Sequence, residues 1–394
     1  MSIREYYLMN KSNKIAKLRF INDTFKIEEI YNANILKSIK DIDDWIKLRP
    51  CSAGRSNLLA LAKLMQIDDS ADYVEITKAI SVTDTFWVGS SEYPTTWEEI
   101  NPYSNRISRI IADIAIDGIE TYRGGNLASL SPQFKLGGSA DKCVKRISGK
   151  EGIHLFKSCG EMRKAQEINV VRPYSEYFAS KFMDVVGIQG NKVDYWVEEK
   201  HTLNGLIKPY SICKIFTNEA IGLVEYKDSI YKNMEILELA KYIRDTGKTK
   251  DLYTLTDMLM IDSIILNIDR HSRNIGFLVD NESLSIIGVA PIYDNDCSLG
   301  STISLCEKSF DDAFNEIKEY HLPKTNIGDY DEQALSVMSR WWYNKLKQLN
   351  GNVKLEKGSL TGISQNRVDF INYLINRRIK EILQITKQHY HLSD

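Results

Sequence analysis

The stretch from Thr254 to Asp296 constrains the fold more than any other part of the chain, because its character changes abruptly at residue 269. In "TLTDMLMIDSIILNI", Met258, Ile261, Ile264, Ile265 and Ile268 recur at helical intervals, which predicts a buried helix with Thr254 and Thr256 as candidate N-caps. Ionisable residues crowd its exit in "DRHSRN". The segments "GFLV" and "LSIIGVA", joined by the turn residues "DNES", read as a β-hairpin, and "PIYDND" follows at its far end. Such a hairpin returns Asp294 to the neighbourhood of Asn274. A single Asp or His usually caps a helix or solvates a loop, but an apolar helix, DRHxxN, a hairpin and YD in this order point to a site.

The 394 residues around this stretch suggest two or three units, by the prior of about 100 to 200 residues per domain. Residues 1–110 form an α+β cap region, with a hairpin predicted from "KIAKLRFI", a turn at "ND" and "FKIEEIY", then helical patterns in "IKDIDDWIKLRP" and "AGRSNLLALAKLMQI". Residues 111–216 read as β-rich, with short runs in "ADIAIDGIE", "KCVKRIS", "IHLFKSC", "KVDYWVEEK" and "LIKPYSICKIF". One helix interrupts them, "RPYSEYFASKFMDVVG", with Pro173 near its start and Gly187 near its end. Residues 217–394 are mainly helical, including "YKNMEILELAKYIRD", "EQALSVMSRWWYNKLKQL" and "NRVDFINYLINRRIKEILQIT". Strands first and helices later argue an α+β fold in lobes.

Charge narrows the function classes. Lys plus Arg total 51 against 53 Asp plus Glu, so nothing in the balance demands nucleic acid or an anionic membrane, and no direct nucleic-acid binding is expected. The six cysteines are scattered without metal-ligand spacing, and the histidines form no HExxH. The N-terminus carries charges where a signal peptide needs an apolar core, and no segment reaches the ~18 apolar residues of a membrane span. A cytoplasmic protein with reduced thiols is expected.

Phosphoryl transfer from ATP requires a carboxylate at the acceptor hydroxyl, oxygen ligands for Mg²⁺, a cation on the phosphates and backbone N–H groups around them. Asp269 and Asn274 have the offset that separates catalytic Asp and metal-binding Asn in a protein-kinase catalytic loop. Arg270 and His271 complete the catalytic set by bracing that loop and pairing with carboxylates. Asp294 across the hairpin is the second metal ligand, with Asp296 as its rival. Upstream, Gly137 and Gly138 let the backbone approach phosphate oxygens, Ser139 and Lys142 add donors, and Lys157 follows a β-patterned run where a nucleotide lysine stands. Glu176 is a candidate partner for Lys157. "PYSICKIF", with Cys213 in it, is a candidate hinge whose backbone meets the adenine.

The order of Gly-containing loop, Lys157, DRHxxN and "APIYD" resembles the HipA-like serine/threonine kinases of bacteria, named for the toxin half of a toxin–antitoxin pair. "WIKLRPCSAGRSNLLALAKL" and "ISVTDTFWV" extend the resemblance over most of the chain. It implies a two-lobed, protein-kinase-like fold, use of ATP and Mg²⁺, a protein substrate with a Ser or Thr acceptor, and an antitoxin-type protein partner. Asp269 is then the base, Asn274 and Asp294 the metal ligands and Lys157 the nucleotide lysine. It also implies self-phosphorylation near the Gly loop, with Ser131 and Ser139 as candidates and Ser129 behind them. The chain departs from the family in its hinge, "YSICKIF", and in its N-terminal region. Phosphoinositide kinases share DRHxxN followed by an Asp, so a lipid kinase is the rival enzyme, and a catalytically silent nucleotide-binding regulator the rival outside enzymes.

Overall fold

A computed structural model describes residues 4–36, 39, 41–50, 55–127, 131–138, 140–160, 170–202 and 205–391. They divide into two compact units. The first comprises Met1–Lys157, Lys214–Leu223 and Val279–Ile286, and the second Ser158–Cys213, Val224–Leu278 and Ile287–Asp394.

The first unit opens with an antiparallel sheet of β1 (Arg4–Asn10), β2 (Asn13–Ile21), β3 (Thr24–Ile30) and β4 (Phe86–Ser90), in the order β3-β2-β1-β4. The β2–β3 hairpin turns through Asn22 and Asp23, both at positive φ, as a two-residue turn that matches strand twist requires. β1 was not anticipated; Tyr6 and Leu8 alternate inward from it and are fully buried. Short helices follow: α1 (Ala33–Leu36), α2 (Ile42–Leu48), α3 (Ser56–Leu64), α4 (Ser70–Thr77), α5 (Trp97–Ile100) and α6 (Arg109–Asp117). α6 corrects the strand expected in "ADIAIDGIE". Ser108 caps its start and Gly118 its end, and the apparent alternation is a helical face burying Ile111, Ala112, Ile114 and Ala115. β5 (Asp141–Lys145) and β6 (His154–Ser158) are neighbours in a second sheet, and Val144 and Ile153 join Val82 and Leu136 in one apolar cluster.

The second unit begins with α7 (Arg172–Val186), with Pro173 in its first turn and a left-handed Gly187 closing it, as expected. β7 (Trp196–His201) and β8 (Ile207–Lys214) pair antiparallel. β9 (Ile221–Glu225) lies beside the hairpin of β10 (Gly276–Asp280) and β11 (Ile286–Val289). The helices are α8 (Ile236–Asp245), α9 (Thr249–Ile265), α10 (Phe310–Tyr320), α11 (Tyr330–Ser336), α12 (Arg340–Leu349) and α13 (Gln365–Tyr390). α11 and α12 replace the single helix expected over 332–349, because Ser339 caps a fresh start on Trp342 N–H.

α9 is the helix predicted from "TLTDMLMIDSIILNI", but it starts at Thr249. Thr254 and Thr256 are therefore interior residues whose hydroxyls bond back to the carbonyls of Lys250 and Leu252, not N-caps. Three later elements grip α9. Gln333 of α11 donates to Leu259 O and Ser263 Oγ, Trp342 Nε1 of α12 to Asp257, and Arg378 Nε of α13 to Ser263 O. No helix among the described residues is long and apolar enough to cross a membrane.

Candidate active site

α9 ends on Leu266, a fully buried residue in the left-handed conformation that terminates the helix and turns the chain into the loop. Asn267 then bonds the Asp262 carboxylate through Nδ2 at 2.9 Å and receives the Asp269 N–H on Oδ1 at 3.1 Å. The loop closes on itself. His271 N donates to Asp269 O at 2.8 Å, Asn274 N to His271 O at 2.8 Å, and Asn274 Nδ2 to Asp269 O at 2.9 Å. With its nitrogen committed to that carbonyl, the Asn274 amide presents Oδ1 as its acceptor.

Arg270 fixes this loop from below. Its side chain is fully buried and all five N–H donors are used: two on Asp262, one on Asn295 Oδ1, and one each on the carbonyls of Asn274 at 2.8 Å and Tyr293 at 2.6 Å. Burial alone would lower its proton affinity, but the Asp262 carboxylate outweighs burial and the net displacement is upward. Because one guanidinium holds the backbone at both 274 and 293, Asn274 and Asp294 converge as the hairpin predicted. Asp269 is partly exposed beside this frame, 3.9 Å from His271 Nε2 and 2.5 Å from Lys324 Nζ.

The two rival carboxylates have different surroundings. Asp296 is buried in a forked pair with Arg172 Nη2, at 2.8 and 2.9 Å, and that carboxylate outweighs burial to raise the guanidinium. Asp294 stands at positive φ, its N–H on Tyr195 Oη at 3.4 Å. Tyr195 links several expected residues: burial first, then the charges of Glu176, Cys213 and Asp294, holds its hydroxyl protonated well above the ordinary range. Glu176 is itself buried on α7 and accepts from Ser211 Oγ at 2.7 Å, so it is no surface glutamate. Cys213 is buried in β8, at the point where the chain passes from the second unit to the first.

The first unit holds the other expected residues. Gly137 and Gly138 lie between a 3₁₀ turn, Pro132–Lys135, and β5. Gly138 has φ +85°, a backbone conformation that L side chains rarely adopt, so glycine is favoured there; the Lys142 Nζ that a Cβ would meet at 2.9 Å is the tip of a flexible side chain and could move aside. Lys157 is buried on β6. Ser139 and Ser129 lie outside the described residues, whereas Ser131 is buried and its hydroxyl has no hydrogen-bond partner among them. Lys157 and Glu176 fall in different units.

Two residues that shape the glycine loop were not anticipated. Arg55 is fully buried and donates to Leu136 O at 2.9 Å and to Lys142 O, gripping both ends of the loop. Gln133 bonds Val144 twice, Nε2 to its carbonyl and N–H to Oε1, as a neighbouring strand would. Nothing local in "SAGRSNLL" signals the first; the second is an amide next to a glycine pair, too common a pattern to single out.

The HipA-like C-terminal domain matches residues 134–344, more than half of the chain. The protein belongs to this family. The HipA from the Shewanella oneidensis MR-1 toxin–antitoxin system, solved with HipB and its operator DNA, superimposes with a TM-score of 0.52 at 11% identity, over 99% of this chain and all of that one. The fold is therefore the α+β, kinase-like fold of HipA. The serine/threonine-protein kinase CtkA of Helicobacter pylori is 27% identical over 198 residues, 45% of this chain. The chain spans about half the length of that curated relative, 55%.

Proposed function

We propose that the protein is an ATP- and Mg²⁺-dependent kinase of HipA type that phosphorylates serine or threonine on a protein. The observation that carries this reading is the Arg270 frame, which holds the backbone at Asn274 and at Tyr293, next to Asp294, together while Asp269 stays partly exposed beside them. Asp269 orients the acceptor hydroxyl and takes its proton as the oxygen attacks the γ-phosphorus, with ADP as leaving group. Asn274 Oδ1 and the Asp294 carboxylate are hard oxygen donors that suit Mg²⁺, and such sites complete their coordination with phosphates and water. Among the described residues no three His, Cys, Asp or Glu side chains gather for a metal. The ion, when bound, neutralises charge on the phosphates. Asp296 is excluded from this role in our reading by its commitment to Arg172. We assign Lys157, Ser139, Lys142 and the backbone at Gly137 and Gly138 to the phosphates. The backbone around Cys213 meets the adenine.

The relatives support a protein acceptor and, through HipB, an antitoxin-type protein partner. Self-phosphorylation at Ser131 requires the 131–138 segment to open, since the hydroxyl is buried. The test is incubation with Mg²⁺ and γ-labelled ATP beside Asp269→Asn, Asp294→Asn and Asp296→Asn, with mapping of the labelled residue. Transfer lost by at least about 10²-fold in the first two, with folding intact, is the expected result. Label on phosphoinositide vesicles but on no protein would instead establish the lipid kinase, and nucleotide binding without turnover the silent regulator.

A further inference from the structure

Phosphoryl transfer needs a cation where charge spreads over the moving group, and the guanidinium of DRHxxN cannot supply it, because Arg270 has no donor left. Another cation stands at the site. Lys324 Nζ is 2.5 Å from Asp269 Oδ1, yet half of its side chain is exposed, leaving N–H donors directed outward from the carboxylate. It reaches Asp269 from a loop between α10 and α11, far along the chain from the catalytic loop.

That loop is built to hold it. Pro323 and Thr325, on either side, are both buried, and Thr325 Oγ1 bonds Gln333 Oε1. Gln333 in turn donates to Leu259 O at 2.9 Å and Ser263 Oγ at 3.1 Å on α9, the helix that delivers Asp269. Lysine and carboxylate therefore hang from one helix through two routes. An exposed ion pair is worth at most about 1 kcal/mol, so stability alone gives little reason for such anchoring.

We infer that Lys324 is a further catalytic residue, the cation that meets the transferring phosphoryl group; this rests on the kinase reading above. As the acceptor oxygen bonds the γ-phosphorus, the bond from that phosphorus to the β,γ-bridging oxygen breaks and ADP leaves with the electron pair. The acceptor proton passes to Asp269. Neutralised, that carboxylate loses its hold on Lys324 at the moment negative charge on the phosphoryl oxygens calls for it, and the ammonium stays protonated throughout.

The experiment compares wild type, Lys324→Ala and Lys324→Arg in single-turnover transfer from ATP, in MgADP affinity, and in trapping of MgADP with aluminium fluoride, a mimic of the group in flight. Expected for Lys324→Ala is a fall of about 10²- to 10³-fold in rate and a matching loss of trapping, with MgADP affinity unchanged and Lys324→Arg partly restored. A Lys324→Ala protein as fast as or faster than wild type overturns the inference and makes the ion pair a restraint on Asp269, leaving the kinase reading intact. A wild type that transfers nothing but traps aluminium fluoride only when Lys324 is present supports the inference and rejects the acceptor assigned above. A wild type that binds no MgADP, or binds it without trapping, overturns it.

Discussion

Replacing Arg270 with Met keeps the volume of the side chain roughly constant and removes five hydrogen bonds from a site with no exposed surface. The Asp262 carboxylate would keep only the Asn267 amide as a side-chain donor. Breaking a buried pair by deleting one partner costs about 3–5 kcal/mol. The carbonyls of Asn274 and Tyr293 lose a charged donor as well, at about 1–3 kcal/mol for each group left unpaired. These costs overlap, so a loss of at least about 4 kcal/mol is expected, a large share of the 5–15 kcal/mol that typically holds a domain together. Urea unfolding followed by tryptophan fluorescence measures it, with hydrogen exchange at residues 267–274 as the local readout. Lys at 270 should recover only part, since an ammonium cannot reproduce the fork. In a double-mutant cycle with Asp262→Asn the two losses should fall short of additivity by at least about 1 kcal/mol. A loss below about 1 kcal/mol for Arg270→Met, with unchanged exchange in the loop, would show that packing and not the guanidinium holds the site.

Asp257 gives a pH-dependent prediction: burial raises its carboxyl to about 6, against the opposing bond from Trp342 Nε1. A folded value above the unfolded one means the native state binds the proton more tightly, so this group favours folding most below the unfolded value, loses that contribution as pH rises to about 6, and is unfavourable and constant above it. Asp257→Asn keeps an acceptor for Trp342 and should stabilise the protein by about 1–3 kcal/mol at pH 7.5 but hardly at pH 4; equal effects at both pH values in denaturant titrations would contradict this. Arg55→Met should weaken nucleotide binding about tenfold or more by freeing the Leu136 and Lys142 carbonyls, while hydrogen exchange at residues 267–274 stays as in wild type. Unaltered affinity by calorimetry would remove the glycine loop from the nucleotide site.

Local chemistry was legible where short spacing carries it. The Asn22–Asp23 turn, the ends of α7 and the hairpin after DRHSRN all follow from residues adjacent in sequence. The strand misread in α6 shows the limit of the same reasoning, because "ADIAID" satisfies a period of two as well as one face of a helix, and only the cap at Ser108 distinguishes them. Thr254 and Thr256 failed as caps for a related reason: a threonine hydroxyl bonds a helix carbonyl as readily as it caps an N–H. What could not be read were side chains acting on groups far away in the chain. Arg55 meets Leu136 across 81 positions and Lys324 meets Asp269 across 55, and neither sequence neighbourhood records the other. The DRHxxN motif gives no sign in sequence of the distant side chains that pack around it.

The grip of later residues on α9 has a consequence for a chain made from one end to the other. Leu259, Ser263 and Asp257 are synthesised well before Gln333, Trp342 and Arg378, which hold them. Until the last of these has left the ribosome, the helix lacks its outer supports and the loop at its end lacks a fixed platform. A nascent chain therefore carries the whole of DRHSRN and YD without a competent arrangement of them. The platform under that loop is thus finished only when Arg378, 115 positions beyond Ser263, has been made.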